Sequence, residues 1–166
     1  MKKIELPKIG LRNLKTALAV FICMITFQLL GNRNPFYACI AAVICMKDTV
    51  ESSFTIGKNR LIGTLLGGIL GVIAIFIINC MPNLQIIKSF FTTIGVILAI
   101  YCCNLINKSG SVTICCIVFI GIMLNHDDAA SYNYAIGRSI DTSLGIIIAI
   151  LINKYINPPK QKNSTK

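Results

Sequence analysis

Charged residues divide this chain into long apolar stretches, at 16–32, 34–46, 61–87, 89–107, 109–125 and 142–153. A helix that spans a bilayer needs about 20 mostly apolar residues. The third and fourth stretches meet that length alone, and the first and fifth meet it with flanking residues. The second and sixth do so only if their charged edges are embedded. The expected architecture is an all-α integral membrane protein with six transmembrane helices. Only 13% of the residues are charged, against about 25% in ordinary soluble domains.

The net charge of +10 could suggest a nucleic-acid partner, but its distribution argues against one. Lys2, Lys3, Lys8, Arg12 and Lys15 precede the first apolar stretch, and Lys47, Lys58 and Arg60 lie between the second and third. Lys108 follows the fourth, and Lys154, Lys160, Lys162 and Lys166 follow the sixth. The alternate connections hold only Arg33, Lys88 and Arg138. This is the positive-inside bias. It puts both termini on the cytoplasmic side of the cell membrane, with the bilayer as the principal partner. The basic start leads into an apolar run without a trusted cleavage pattern, so the first helix is expected to remain as an anchor. Residues 1–157 form the membrane domain, and 158–166 a polar basic tail.

The stretch NRLIGTLLGG (59–68) returns 78 residues later as GRSIDTSLGI (137–146). Arg138, Ile140, Thr142, Leu144 and Gly145 fall where Arg60, Ile62, Thr64, Leu66 and Gly67 fell. At the same offset 36–46 lies over 114–124, Phe54 over Tyr132 and Asn79 over Asn157. The chain therefore divides into half-repeats 1–81 and 82–157, each with three helices. An odd number makes the second half enter the membrane from the opposite side. Such inverted repeats are common in transporters, whose sites lie at the repeat interface and are marked by short hydrophobic segments in matching positions. The second and fifth helices are the short members here.

Arg60 and Arg138 are placed by this reading at the starts of the third and sixth helices. Arginine in lipid faces a cavity or a partner, or snorkels to the surface; Arg60 has both options. A sixth helix of full length would begin near Tyr134, carrying Arg138 and Asp141 into the boundary region three residues apart and able to pair. Thr64 and Thr142 share the arginine faces and either bond back to the helix or add a donor beside the guanidinium. Gly63, Gly67 and Gly71, with Gly68 beside them and Gly145 in the repeat, form a small-residue surface for close helix packing. An arginine at a helix N-terminus joins a fixed charge to unpaired N–H groups, an arrangement that holds anions. Repeated, it gives one basic station near each mouth of a pathway.

Other candidates are weaker. Glu51, near Asp48 and Lys47 in a cytoplasmic stretch, is either a solvated loop acid or a proton-coupling carboxylate. His126-Asp127-Asp128 resembles half a metal site, but zinc needs more ligands and the chain has no second histidine; neither metal nor cofactor is expected. The eight cysteines lack a C-x-x-C spacing and fit small buried hydrophobes. Tyr132, Tyr134, Phe36 and Tyr37 fit an interfacial aromatic belt. Enzyme signatures are missing.

The segments IGLRNLKTALAVFIC (9–23), NPFYACIAAVICMKDTVESSF (34–54) and GKNRLIGTLLGGILG (57–71) resemble the membrane domain of the aromatic acid exporter family, the fusaric-acid-resistance-like group. GRSIDTSLGIIIAILIN (137–153) resembles that family's closing helix. The resemblance runs from about Ile9 to Asn157 and is most specific through Arg12, Lys15, Thr16, Arg60, Gly63, Thr64 and Gly67. It implies proton-driven export of aromatic carboxylates or related organic anions. Distant plant relatives are dimeric anion channels, and a homo-oligomer, dimer or higher, is expected here. Many family members continue into a helical cytoplasmic domain, whereas this sequence ends at Lys166. The alternatives are a passive organic-anion channel and a non-transporting membrane subunit that works with a separate cytoplasmic partner.

Overall fold

Every regular segment in the computed structural model, which describes residues 10–31, 34–79, 85–124 and 128–156, is helical. The α-helices are α1 (Leu11–Leu29), α2 (Phe36–Cys45), α3 (Val50–Asn79), α4 (Gln85–Leu105), α5 (Val112–Leu124) and α6 (Asp128–Tyr155), with a 3₁₀ turn at Ser109–Ser111 before α5. Three helical stretches, Val50–Asn79, Ile86–Leu105 and Asn133–Tyr155, are long and apolar enough to cross a membrane. With the shorter apolar helices beside them, they make this an all-helical membrane protein.

Local chemistry sets the helix ends. Gly31 follows α1 at φ 99°, the left-handed geometry in which glycine commonly ends a helix. Asn107 plays that part after α4, at φ 55°. Pro35 stands at the start of α2, where its missing N–H leaves no helical bond unmade. Thr49 Oγ1 accepts the Ser52 N–H at 3.1 Å, an N-cap bond. That cap starts α3 at Val50, so the polar stretch expected to be a cytoplasmic loop is its first two turns. Tyr134 is likewise not the start of α6, which begins at Asp128. Polar side chains on an opening turn read as a loop because they do not follow the apolar period.

The packing repeats itself. The chain's central pair is α3 and α6; α5 lies along α3 and α2 along α6. Outside these, α4 packs on α5 and α3, and α1 packs on α2 and α6. One core joins Cys23 and Phe27 of α1, Ala41 and Cys45 of α2, and Ala149 of α6. Others join Ile75 of α3 with Phe119 and Ile122 of α5, and Cys103 of α4 with Cys115 of α5. Each packing unit therefore combines two helices from one half of the sequence with the third helix of the other. Cys23, Cys45, Cys103 and Cys115 pack as small apolar side chains. The outer faces of α1 and α4 stay apolar and exposed at Phe21, Met24, Phe90 and Ile97, as contact with lipid chains requires.

Glycine permits the close contacts. A Cβ on Gly67 would run into the backbone oxygen of Cys115, and one on Gly145 into that of Ala38. These matched glycines seat α5 on α3 and α2 on α6. Gly63 and Gly71 extend the seam, against Ser111 and Ile122. Gly68 does not join it; its nearest neighbour is Ala135 Cβ, 3.9 Å from where a Cβ would sit.

Lys15 is corrected by the structure. It does not precede the first helix but lies in its second turn, 5% exposed. Its ammonium donates to Asn153 Oδ1 at 3.1 Å. Asn153 Nδ2 in turn donates to Lys47 O and to Ser53 Oγ, both at 2.9 Å. One buried polar network thus ties α1, α6 and the start of α3.

Candidate functional site

Helices α2 and α5 flank the α3–α6 pair without packing on each other, and a pocket of about 440 Å³ lies between them. Phe36, Tyr37, Ile40 and Ile44 line it from α2; Ile114, Ile117, Ile120 and Gly121 line it from α5. The central pair contributes one residue each, Arg60 and Arg138. The volume falls within the about 300–1,000 Å³ usual for small-molecule sites, which combine apolar walls with a few placed polar groups.

Neither arginine opens its helix. Each lies ten residues past the first helical residue, Val50 or Asp128, so unpaired N–H groups of a helix terminus are not beside it. The expected charge-plus-terminus arrangement is replaced by two guanidiniums held mid-helix. Neighbouring contacts distribute them along the pocket. Gly57, one turn before Arg60, faces Cys45 at the end of α2, and Gly63 faces the start of α5. Arg138 meets Tyr37 in the first turn of α2. The two charges thus stand toward opposite ends of one pocket.

Their surroundings differ. Arg60 is 5% exposed, and its Nε and Nη1 are buried with no hydrogen-bond partner among the described residues. It does not snorkel to the surface. Arg138, 7% exposed, donates from Nη1 to Tyr134 Oη at 2.6 Å. Its guanidinium carbon lies 4.4 Å from the centre of the Tyr37 ring, a cation–π distance. The two tyrosine hydroxyls share a 2.8 Å hydrogen bond, and their rings meet edge to face with centres 5.9 Å apart. Tyr37 and Tyr134 are thus partners of Arg138 at the pocket, where the sequence suggested a membrane-surface belt. They are 97 residues apart, and no local pattern joins them.

The other candidates take separate places. Thr64 Oγ1 donates to Arg60 O at 2.9 Å, bonding back to its helix. Thr142 and Asp141 are buried on α6, beside Arg138 in sequence. Glu51 is exposed in the first turn of α3, away from the pocket lining. Among the described residues no cluster of three potential metal ligands occurs; His126 and Asp127, the Asp128 side chain and that of Tyr132 lie outside the description.

The family described as fusaric acid resistance protein-like matches residues 18–152. A UPF0421 protein of Staphylococcus saprophyticus is 29% identical over 92% of this chain and 44% of its own length. Another, from Halalkalibacterium halodurans, is 29% identical over 93% of this chain and 41% of its own. This chain therefore spans less than half the length of these relatives. No solved structure matches it. The match over most of the chain makes it a member of the fusaric acid resistance protein-like family.

Proposed function

We propose that this protein is an organic-anion transporter of the cell membrane, exporting aromatic carboxylates or related anions with the proton gradient as driving force. In this reading all six helices cross the bilayer as two inverted three-helix repeats, with both termini cytoplasmic. Exchanging the halves maps α3 on α6, α5 on α2 and α4 on α1, and the packing pattern is the same after the exchange. The pocket then lies at the repeat interface, between the two short helices, where transporter sites are found.

One observation carries the functional reading: the buried, unpartnered donors of Arg60. A buried charge without hydrogen bonds is strongly unfavourable, and a carboxylate in the pocket would satisfy it while the isoleucine walls take an apolar body. The exposed edges of Phe36 and Ile117 leave the pocket wall incomplete in one chain, which favours a homo-oligomer.

The test is uptake of labelled benzoate, hydroxybenzoate and dicarboxylates into inverted vesicles containing the chain, with and without an imposed proton gradient. Gradient-dependent accumulation that Arg60→Gln abolishes supports the exporter. Gradient-independent movement means a passive channel. No movement by folded protein overturns transport by this chain alone and favours a subunit of a larger assembly.

A further inference from the structure

The two arginines of the pocket are in different states. Arg60 has buried donors with no acceptor among the described residues, whereas Arg138 is engaged by a phenol hydroxyl and the face of a second ring. Tyr134 does more than cover its own helix. Its hydroxyl bonds that of Tyr37 on α2 and lies against Gly121 of α5, 2.8 Å from where a Cβ on that residue would sit. A single side chain from α6 thus reaches both helices that flank the pocket, at the end where Arg138 stands.

Resting on the anion-pocket reading, we propose that Tyr37 and Tyr134 are the gate of this pocket. An anion held at Arg60 passes by taking the place of Tyr134 on Arg138. A carboxylate brings the opposite charge and can take two parallel N–H bonds from a guanidinium, where the phenol hydroxyl takes one, so a carboxylate displaces a phenol. Once Tyr134 lets go of Arg138, its hydroxyl keeps only the bond to Tyr37 among the hydrogen bonds described here, and the two rings can part. Tyr37 remains beneath the guanidinium as a flat aromatic face against which the departing anion slides. Arg60 sets affinity and the tyrosines set the barrier to passage.

The variants Tyr134→Phe and Tyr37→Phe remove a hydroxyl and keep the ring. Gly121→Ala leaves both tyrosines in place but puts a methyl group where the Tyr134 hydroxyl rests. A hydrogen bond contributes on the order of 1 kcal/mol net, so flux of labelled benzoate should rise roughly fivefold in Tyr134→Phe and Gly121→Ala. The chain has no tryptophan and five tyrosines, so its ultraviolet emission reports tyrosine directly. Cyclohexanecarboxylate, which neither absorbs nor emits there, serves as the binding probe beside equilibrium dialysis of its labelled form. Saturable quenching or enhancement is expected in the parent and should disappear in the double Phe variant, which still binds in dialysis.

Unchanged flux in both Tyr134→Phe and Gly121→Ala, with benzoate transport intact in the parent, overturns the gate and leaves the anion pocket standing. An emission change that persists in the double Phe variant also overturns it. Neither binding nor flux in the parent or any variant overturns the anion pocket, and the gate with it.

Discussion

The Lys15 ammonium on α1 donates a 3.1 Å hydrogen bond to the side-chain oxygen of Asn153 on α6, 138 residues later in the chain. Both groups are buried, so neither has water as an alternative partner. Replacing Asn153 by Ala strands a buried ammonium, and the loss of stability should be about 1–3 kcal/mol. Lys15→Met removes the charge with its need for a partner and should lose less. The double variant should fall short of the sum of the two, as coupled partners do. Chemical or thermal unfolding in detergent micelles measures all three.

The glycine seam yields a contrast between adjacent residues. Gly67→Ala and Gly145→Ala each press a methyl group into a backbone oxygen of the facing helix, which cannot rotate away. Each should destabilise by about 1–3 kcal/mol, the usual range for overpacking. In Gly68→Ala the added methyl meets only Ala135 Cβ, at 3.9 Å and in ordinary van der Waals contact, and the variant should be neutral or slightly stabilising, since alanine is the better helix former. Unfolding midpoints of the three variants in one detergent would sort them.

Arg60 should show a trade between stability and function. Arg60→Met replaces an unsatisfied buried charge by an apolar side chain of similar length, and substitutions of this kind are often neutral or stabilising. Its unfolding temperature should equal or exceed that of the parent, while anion binding is lost. In the parent, benzoate at 100 times its dissociation constant should add about 2.7 kcal/mol by mass action. Melting curves with and without benzoate would show whether the increment vanishes in Arg60→Met.

Inverted repeats imply opposite exposure for two short connections. Asn34→Cys, just before α2, should react with a membrane-impermeant thiol reagent only from outside the cell. Asp48→Cys, between α2 and α3, should react only from the cytoplasmic side. The seven native cysteines in the described residues are buried or half-buried in helices, so with Cys80→Ser in the parent background labelling should be low. Labelling of both positions from the same side would refute the proposed crossing of α2.

Sequence alone determined that the chain is a membrane-bound helical protein, because uninterrupted apolar stretches have few other stable outcomes. It also revealed the matched Arg60 and Arg138, since a charge followed by a threonine and a glycine at the same offsets is conspicuous against apolar residues. It misjudged where those arginines stand. The polar turns that open α3 looked like loop, and the Thr49 cap that makes them helix is one hydrogen bond, invisible to hydropathy. Lys15 was legible as a positive charge but not as a buried one. Only the tertiary structure decided that Lys15 meets Asn153, that Tyr37 and Tyr134 meet over Arg138, and that Arg60 is left with donors and no acceptor. Periodicity tells which way a side chain points from its own helix. What stands opposite depends on how helices far apart in the chain come together, and in this fold each half of the sequence lends its third helix to the other.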